Sequence, residues 1–284
     1  MISFKTYLQE KVVKKWTARS GDDEAELLKA LKIHCSHSLA AAEKGSILYR
    51  GDHSYSGKKY VLIDSSKGTR TSRDTNNIYQ LMMETSVHFK DVPKRSTSII
   101  ATTTRSNAYS YASSQEDLFV VMPFNGVKIA CVPGVKDILR YAVRSRFNTH
   151  TLDLEDLGIG IGSVIQYVEH ERIPKFTDAS VCDELLSQLT SYQFEKHLTE
   201  ELHLTNDSAL KAIRGFKPNT RFTELSNLIM TPDSLPIKIQ TAGYELVNGT
   251  EYWLSGKSYL VNLTMFDAMF QMMDKDDESE KTDK

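Results

Sequence analysis

Hydrophobic and polar positions alternate with two different periods along the chain, and the changes of period mark the elements. MISFKTYLQEKVVKKW sets Ile2, Phe4, Leu8, Val12 and Trp16 at near-helical spacing with lysines on the other face, predicting a short amphipathic helix. TARSGDDE, residues 17–24, is polar and reads as a hinge. AELLKALKIHCSHSLAAAE then resumes the helical period and stops at Lys44-Gly45. The period next shortens. ILYRGDHS, residues 47–54, runs as a strand into Arg50, and KKYVLID is a strand by its β-branched content. NNIYQLMMETSVHF places Ile78, Leu81, Met82 and Val87 on one helical side, STSIIATT reads as a strand, and NAYSYASS looks like the start of a helix. DLFVVMPF and VKIACVP flank Asn125-Gly126, the strongest hairpin signal in the chain.

Residues 135–235 have another texture. VKDILRYAVRSRF, VCDELLSQLTSYQFEKHLTEEL and DSALKAIRGF all favour helix, as an insertion or subdomain would. After Pro232 and Pro236 strand character returns in IKIQTAGYELVNGTEYWLSGKSYLV, with turns at Asn248-Gly249 and Ser255-Gly256. The expected organisation is α+β: N-terminal helices over 1–43, a first core half over 44–134, the helical insertion over 135–235, and a second core half over 236–265. Residues 266–284 are expected to be an acidic, disordered tail, because 274–284 hold only charged and small polar side chains.

Composition narrows the function classes. At 284 residues and 40% hydrophobic the chain can bury a full core without a metal or disulfide staple. A net charge of −2 gives no global basic field for nucleic acid. Cys35, Cys131 and Cys182 are odd in number and widely spaced, so buried thiols in a reducing compartment are expected, and no Cys/His spacing suits a metal. No apolar run reaches the roughly 20 residues that span a bilayer, so no membrane partner is expected.

Three stretches hold candidate chemistry. Arg50 closes a strand where a half-buried guanidinium needs an anion. Ser96 and Ser98 would share one side of a strand while Thr97 points away. Glu251 enters the aromatic strand TEYWLSG. Each alone has an ordinary explanation: a surface ion pair, an edge or turn feature, a solvated residue of a half-buried strand. In this order the residues resemble the R-S-E signature of the mono-ADP-ribosyltransferases: LYRG on a first strand, STS on a second, and Glu within TEYWLSG on a later one. The resemblance covers residues 44–134 and 236–262.

That resemblance implies a split mixed or antiparallel sheet of the ADP-ribosyltransferase type, with NAD as substrate and no metal. Glu251 would be the catalytic carboxylate, oriented by Ser96 or Ser98, between which family habit favours the first serine. Tyr49, Arg50, Gly51, Ser96, Thr97, Tyr109, Tyr111 and Arg105 would bind the dinucleotide. Arg50 would hold the pyrophosphate, with Arg70, Arg73 or Arg105 as further phosphate contacts, and Gly51 would let nicotinamide approach the backbone. Tyr244, Glu245 and Gly249 would meet the acceptor, a host protein or nucleic acid. Arginine-modifying members carry Glu or Gln two residues before the acid, where this chain has Gly249, which points to another nucleophile or to water. Glu245 is the alternative acid under a shifted alignment. MISFKTYLQE also resembles the leading peptides of internal head proteins of T-even-type tailed phages, removed after Leu-x-Glu, here Leu8-Gln9-Glu10. It implies a protein packaged in a phage head and acting in the bacterial host cytoplasm. The basic runs at 143–147 and 211–222 interleave Arg and Lys with Phe, as a nucleic-acid surface does, although basic helix ends that complement helix dipoles explain them better.

Overall fold

The computed structural model describes residues 17–21, 23–70, 78–138, 183, 221–233, 235–243 and 245–271. The N-terminal helix, Arg73, Tyr244, the run at 143–147, most of the run at 211–222 and the tail beyond residue 271 lie outside the described residues. The chain is α+β. Its strands are β1 Thr17–Gly21, β2 Tyr49–Gly51, β3 Tyr60–Asp64, β4 Ile99–Thr102, β5 Leu118–Pro123, β6 Lys128–Cys131, β7 Lys238–Thr241, β8 Glu251–Leu254 and β9 Lys257–Asn262. The described helices are α1 Glu24–His34, α2 Ser36–Glu43, α3 Ile78–Thr85, α4 Arg105–Tyr109, α5 Phe222–Ile229 and α6 over 263–271.

Two compact units divide the chain. The first holds described residues of 17–70, 92–136 and 237–271, and the second those of 78–91 and 137–236. The expected insertion therefore groups with a further segment, the one carrying α3. Within this second unit α3 packs on α5, the Ser86 hydroxyl donates to the Met230 carbonyl at 2.8 Å, and Met82, Phe222 and Met230 are buried.

All nine described strands lie in the first unit, in one antiparallel sheet of order β1-β3-β9-β5-β2-β4-β8-β6-β7. Only one register pair, Tyr49 with Thr102, joins β2 to β4. The sheet is thus a five-stranded half and a four-stranded half meeting at a single bridge. Two clusters fill its faces. Val120, Met122, Tyr259 and Val261 pack with Leu27 and Leu31 of α1 and with Phe266 and Met269 of α6. The alternate positions Phe119, Val121 and Leu260 pack with Ile63, Ile99, Tyr252 and Leu254. Strand β5 is buried along its whole length, as its unbroken apolar run requires.

Several local expectations change. Residues 17–21 are not a hinge but an edge strand paired with β3. The long helix breaks at Cys35, whose buried thiol lies 3.4 Å from the Met122 carbonyl. Asn125-Gly126 makes a turn, with Gly126 at φ +80°, yet β5 and β6 do not form a hairpin. Strand β5 takes β9 and β2 as partners, and β6 takes β8 and β7. Asn125 instead docks on the helices: its amide bonds the His34 carbonyl and its side chain meets His37 N and Ser36 Oγ. A strand buried on both faces near the middle of a sheet needs two partners, and long-range packing chose them over the local turn. Residues 266–271 belong to α6, with Phe266 and Met269 buried, so the ordered core extends past the expected boundary at 265.

Candidate functional site

The bridge between the two sheet halves sets the geometry. Tyr49 on β2 is opposite Thr102 on β4, and Thr102 is opposite Glu251 on β8. The three residues form one line across the sheet, with Tyr49 and Glu251 roughly 10 Å apart at two strand spacings.

Arg50, one residue beyond the bridge, is held inside the protein. Its Nε and Nη2 donate to Asp52 Oδ2 at 3.0 and 2.8 Å, and its Nη1 donates to the Ile100 carbonyl at 2.9 Å. The last bond satisfies a β4 carbonyl where β2 has parted from it. Burial raises the Asp52 pKa, but the Arg50 charge and the bonds from Arg50 and Ser54 outweigh it, and the carboxyl lies below its ordinary value. The anion that Arg50 demands is thus supplied two residues away.

Gly51 also differs from expectation. A Cβ there would stand 2.3 Å from the Ala108 carbonyl oxygen and 2.7 Å from Ala112 N. The space a side chain would fill is taken by the backbone of α4 and of the residues just after it, so the glycine admits the protein's own chain rather than nicotinamide.

The serine triplet is not on a strand. Residues Arg95–Thr97 form one 3-10 turn, and β4 begins only at Ile99. Ser98 is fully buried and its hydroxyl donates to the Lys94 carbonyl at 2.6 Å, closing that turn. Ser96 and Ser98 therefore do not share a strand face. Ser96 is half-buried, and its carbonyl accepts the Arg70 amide at 2.5 Å. Thr97 Oγ1 lies 3.4 Å from Ser255 Oγ.

What the turn aims is Arg95, a residue the sequence reading passed over. Its side chain is 4% exposed, its Nη1 donates to Glu251 Oε1 at 2.5 Å, and its guanidinium carbon lies 5.2 Å from the centre of the Trp253 ring. Glu251 and Trp253 are two apart on β8 and so share a face. Trp253 is itself pinned, its indole N–H donating to the Pro93 carbonyl at 2.8 Å. Among the described residues the buried Arg95 Nε has no hydrogen-bond acceptor. Glu251 Oε2 makes no hydrogen bond among the described residues. The signal that could have found Arg95 is its place directly before the triplet.

Comparison with protein-family models, with curated proteins and with solved structures finds no match.

Arg70 completes the cluster. Its amide bond to Ser96 sets it beside the turn that bears Arg95. Burial lowers its pKa to about 9, the charges of Arg95 and Arg50 add to that, and Glu251 and Tyr111 oppose it. Among the described residues its guanidinium makes no hydrogen bond or ion pair. Among the described residues of the cluster, three arginines thus stand with two carboxylates, Asp52 and Glu251. The other aromatic candidates lie outward: Tyr109 and Tyr111 are about half exposed, and Arg105 is exposed, while Tyr49 is half-buried against the first core cluster.

The loop leading to Glu251 is tied down by hydrogen bonds. The Tyr252 hydroxyl accepts the Val247 amide at 2.8 Å, Thr103 Oγ1 donates to the Val247 carbonyl at 3.1 Å, and Thr250 is fully buried with Oγ1 accepting the Gly134 amide at 2.9 Å. Gly249 has φ +70°, which L side chains rarely adopt. A Glu or Gln at this position would strain the turn. Glu245 is exposed at the start of the described loop. Among the described residues no helix is long and apolar enough to cross a membrane.

Proposed function

We propose that this protein transfers the ADP-ribosyl group of NAD to a macromolecular acceptor and releases nicotinamide. One observation carries the reading: Glu251 stands at the junction of the two sheet halves, fixed through one oxygen by a buried arginine. In the reaction the ribose–nicotinamide bond breaks and its electron pair leaves with nicotinamide. The ribose carbon then bonds to the acceptor nucleophile, which gives up its proton. Positive charge grows on the ribose in the transition state, and a fixed carboxylate beneath it favours that state over the ground state. Glu251 Oε2 suits this task and can accept a ribose hydroxyl. The pyrophosphate contact passes from Arg50, whose charge Asp52 matches, to Arg70.

The left-handed turn at Gly249 supports an acceptor other than arginine, because no side chain stands where one would activate a guanidinium. A protein side chain, a nucleic-acid base or water remains in play. Water would make the protein an NAD glycohydrolase. The Arg95–Glu251 pair also supports a non-catalytic reading, in which the carboxylate only neutralises a buried cation. Incubation with NAD labelled in the adenylate part, plus bacterial lysate, separates the three. Transfer predicts nicotinamide release with label on a macromolecule, hydrolysis predicts release without it, and a purely structural pair predicts neither. Protease and nuclease treatment of the product then identifies the acceptor class.

A further inference from the structure

The serine triplet was expected to orient the catalytic carboxylate directly, yet the Ser98 hydroxyl is spent on Lys94 and a guanidinium bonds Glu251 Oε1. Arg95 is gripped from three sides. The 3-10 turn closed by Ser98 fixes its backbone, with the Thr97 amide on Lys94 O and the Ser98 amide on Arg95 O. The Trp253 ring lies along its guanidinium, and that ring is anchored on Pro93, two residues before Arg95. Glu251 Oε1 takes Nη1. The contact between strand β8 and the turn is therefore a closed loop: Pro93 to Trp253, Trp253 to Arg95, Arg95 to Glu251.

Such a loop does more than neutralise charge. A carboxylate on a strand can turn about its side-chain torsions, and the Arg95 bond to one oxygen fixes which way the other points. A buried ion pair without such a task is often no more stable than apolar packing of the same volume. Among the described residues Arg95 also has no acceptor for its buried Nε–H, an arrangement poorly suited to stability alone. We infer that Arg95 is a positioning residue: it holds Glu251 Oε1 so that Oε2 is presented to the ribose, and Ser98 acts through it by holding the turn. This rests on the ADP-ribosyl transfer reading above.

The test is steady-state NAD turnover in the presence of bacterial lysate, which supplies the acceptor, followed by nicotinamide release, for the full chain and its Arg95→Lys and Arg95→Ala variants, each first checked for a wild-type circular dichroism spectrum. Misplacing a reacting group by about 1 Å costs on the order of 100-fold in rate, so Arg95→Ala should lose roughly 100-fold in kcat with KM for NAD little changed. Arg95→Lys should recover part of that loss, and added methylguanidinium should restore kcat to Arg95→Ala. Should Arg95→Ala fail to fold, Arg95→Lys carries the test, with kcat lowered and KM retained. Wild-type kcat in a folded Arg95→Lys and Arg95→Ala overturns the positioning role while leaving the transferase reading intact. A loss confined to KM overturns it equally. A wild-type protein that releases no nicotinamide at all overturns the transferase reading, and the positioning role with it.

Discussion

Arg70 shows how much a single charge can decide. Arg50 and Arg95 each have a carboxylate, at 2.8 and 2.5 Å, and Arg70 has none among the described residues. An anion entering the cluster would offset the burial that lowers the Arg70 pKa and the repulsion from Arg95 and Arg50 that adds to it. Arg70→Met should therefore weaken binding of ADP-ribose by roughly 10- to 100-fold, the range for losing a hydrogen bond to a charged group. Equilibrium titration at low and high salt checks this, and the salt dependence should shrink in the variant. Equal affinity for both proteins would return the phosphate to Arg50. The sequence made Arg50 visible as a half-buried cation but could not identify its anion. Asp52 is two residues away and was in plain view, yet only folding turns its carboxylate back onto Arg50.

At the scale of elements, the turn at Arg95–Thr97 joins the triplet to Glu251. Replacing Ser98 by Ala removes a 2.6 Å bond to a carbonyl in a buried setting and should cost about 1 kcal/mol of stability. Because the turn aims Arg95, kcat should fall as well, by roughly tenfold, a part of the loss expected when a reacting group is misplaced. Urea unfolding and NAD turnover measured together test both parts. Unchanged turnover in Ser98→Ala would separate the triplet from the carboxylate. Most elements were legible from periodicity: β3, β8 and β9, α1 with α2, and α4 at the predicted helix start. The triplet looked like a strand because Ser and Thr suit strands and turns alike. The hairpin at Asn125-Gly126 was misread for a related reason. A turn sequence fixes the local reversal of the chain, whereas the partners of β5 are set by burial of both its faces.

At the scale of the molecule, the second unit enters at two points. One is between β6 and β7, whose Cys131 and Lys238 are register partners, and the other lies between Arg70 and Val92. The amide of Arg70 bonds Ser96, so the ends of that second segment lie close together on the sheet unit. A chain in which residues 72–91 and 137–236 are both replaced by short Gly/Ser linkers should keep the nine-stranded sheet and unfold in one cooperative transition. It should still release nicotinamide from NAD and lose transfer to the macromolecular acceptor, which would assign acceptor recognition to the second unit. Retained transfer would place recognition on the sheet unit instead, near Glu245 and Val247. The sequence placed strands at Arg50 and Glu251, which are β2 and β8, and one at the triplet, where β4 begins only after it at Ile99. The pairing of those strands was not legible, because Thr102 and Glu251 are far apart in sequence and meet only through long-range packing.

The central claim is that Glu251, presented at the junction of the two sheet halves, drives cleavage of NAD. Its most direct test is nicotinamide release, with bacterial lysate supplying the acceptor, by the wild-type protein and by Glu251→Gln. The amide keeps an oxygen for Arg95 and removes only the charge, and a thermal melt confirms that the variant is folded. The account predicts release by the wild type and a loss of at least roughly 100-fold in the variant, the scale of removing one electrostatic stabiliser from a transition state. Equal release by the two proteins, or none by the wild type, would contradict it.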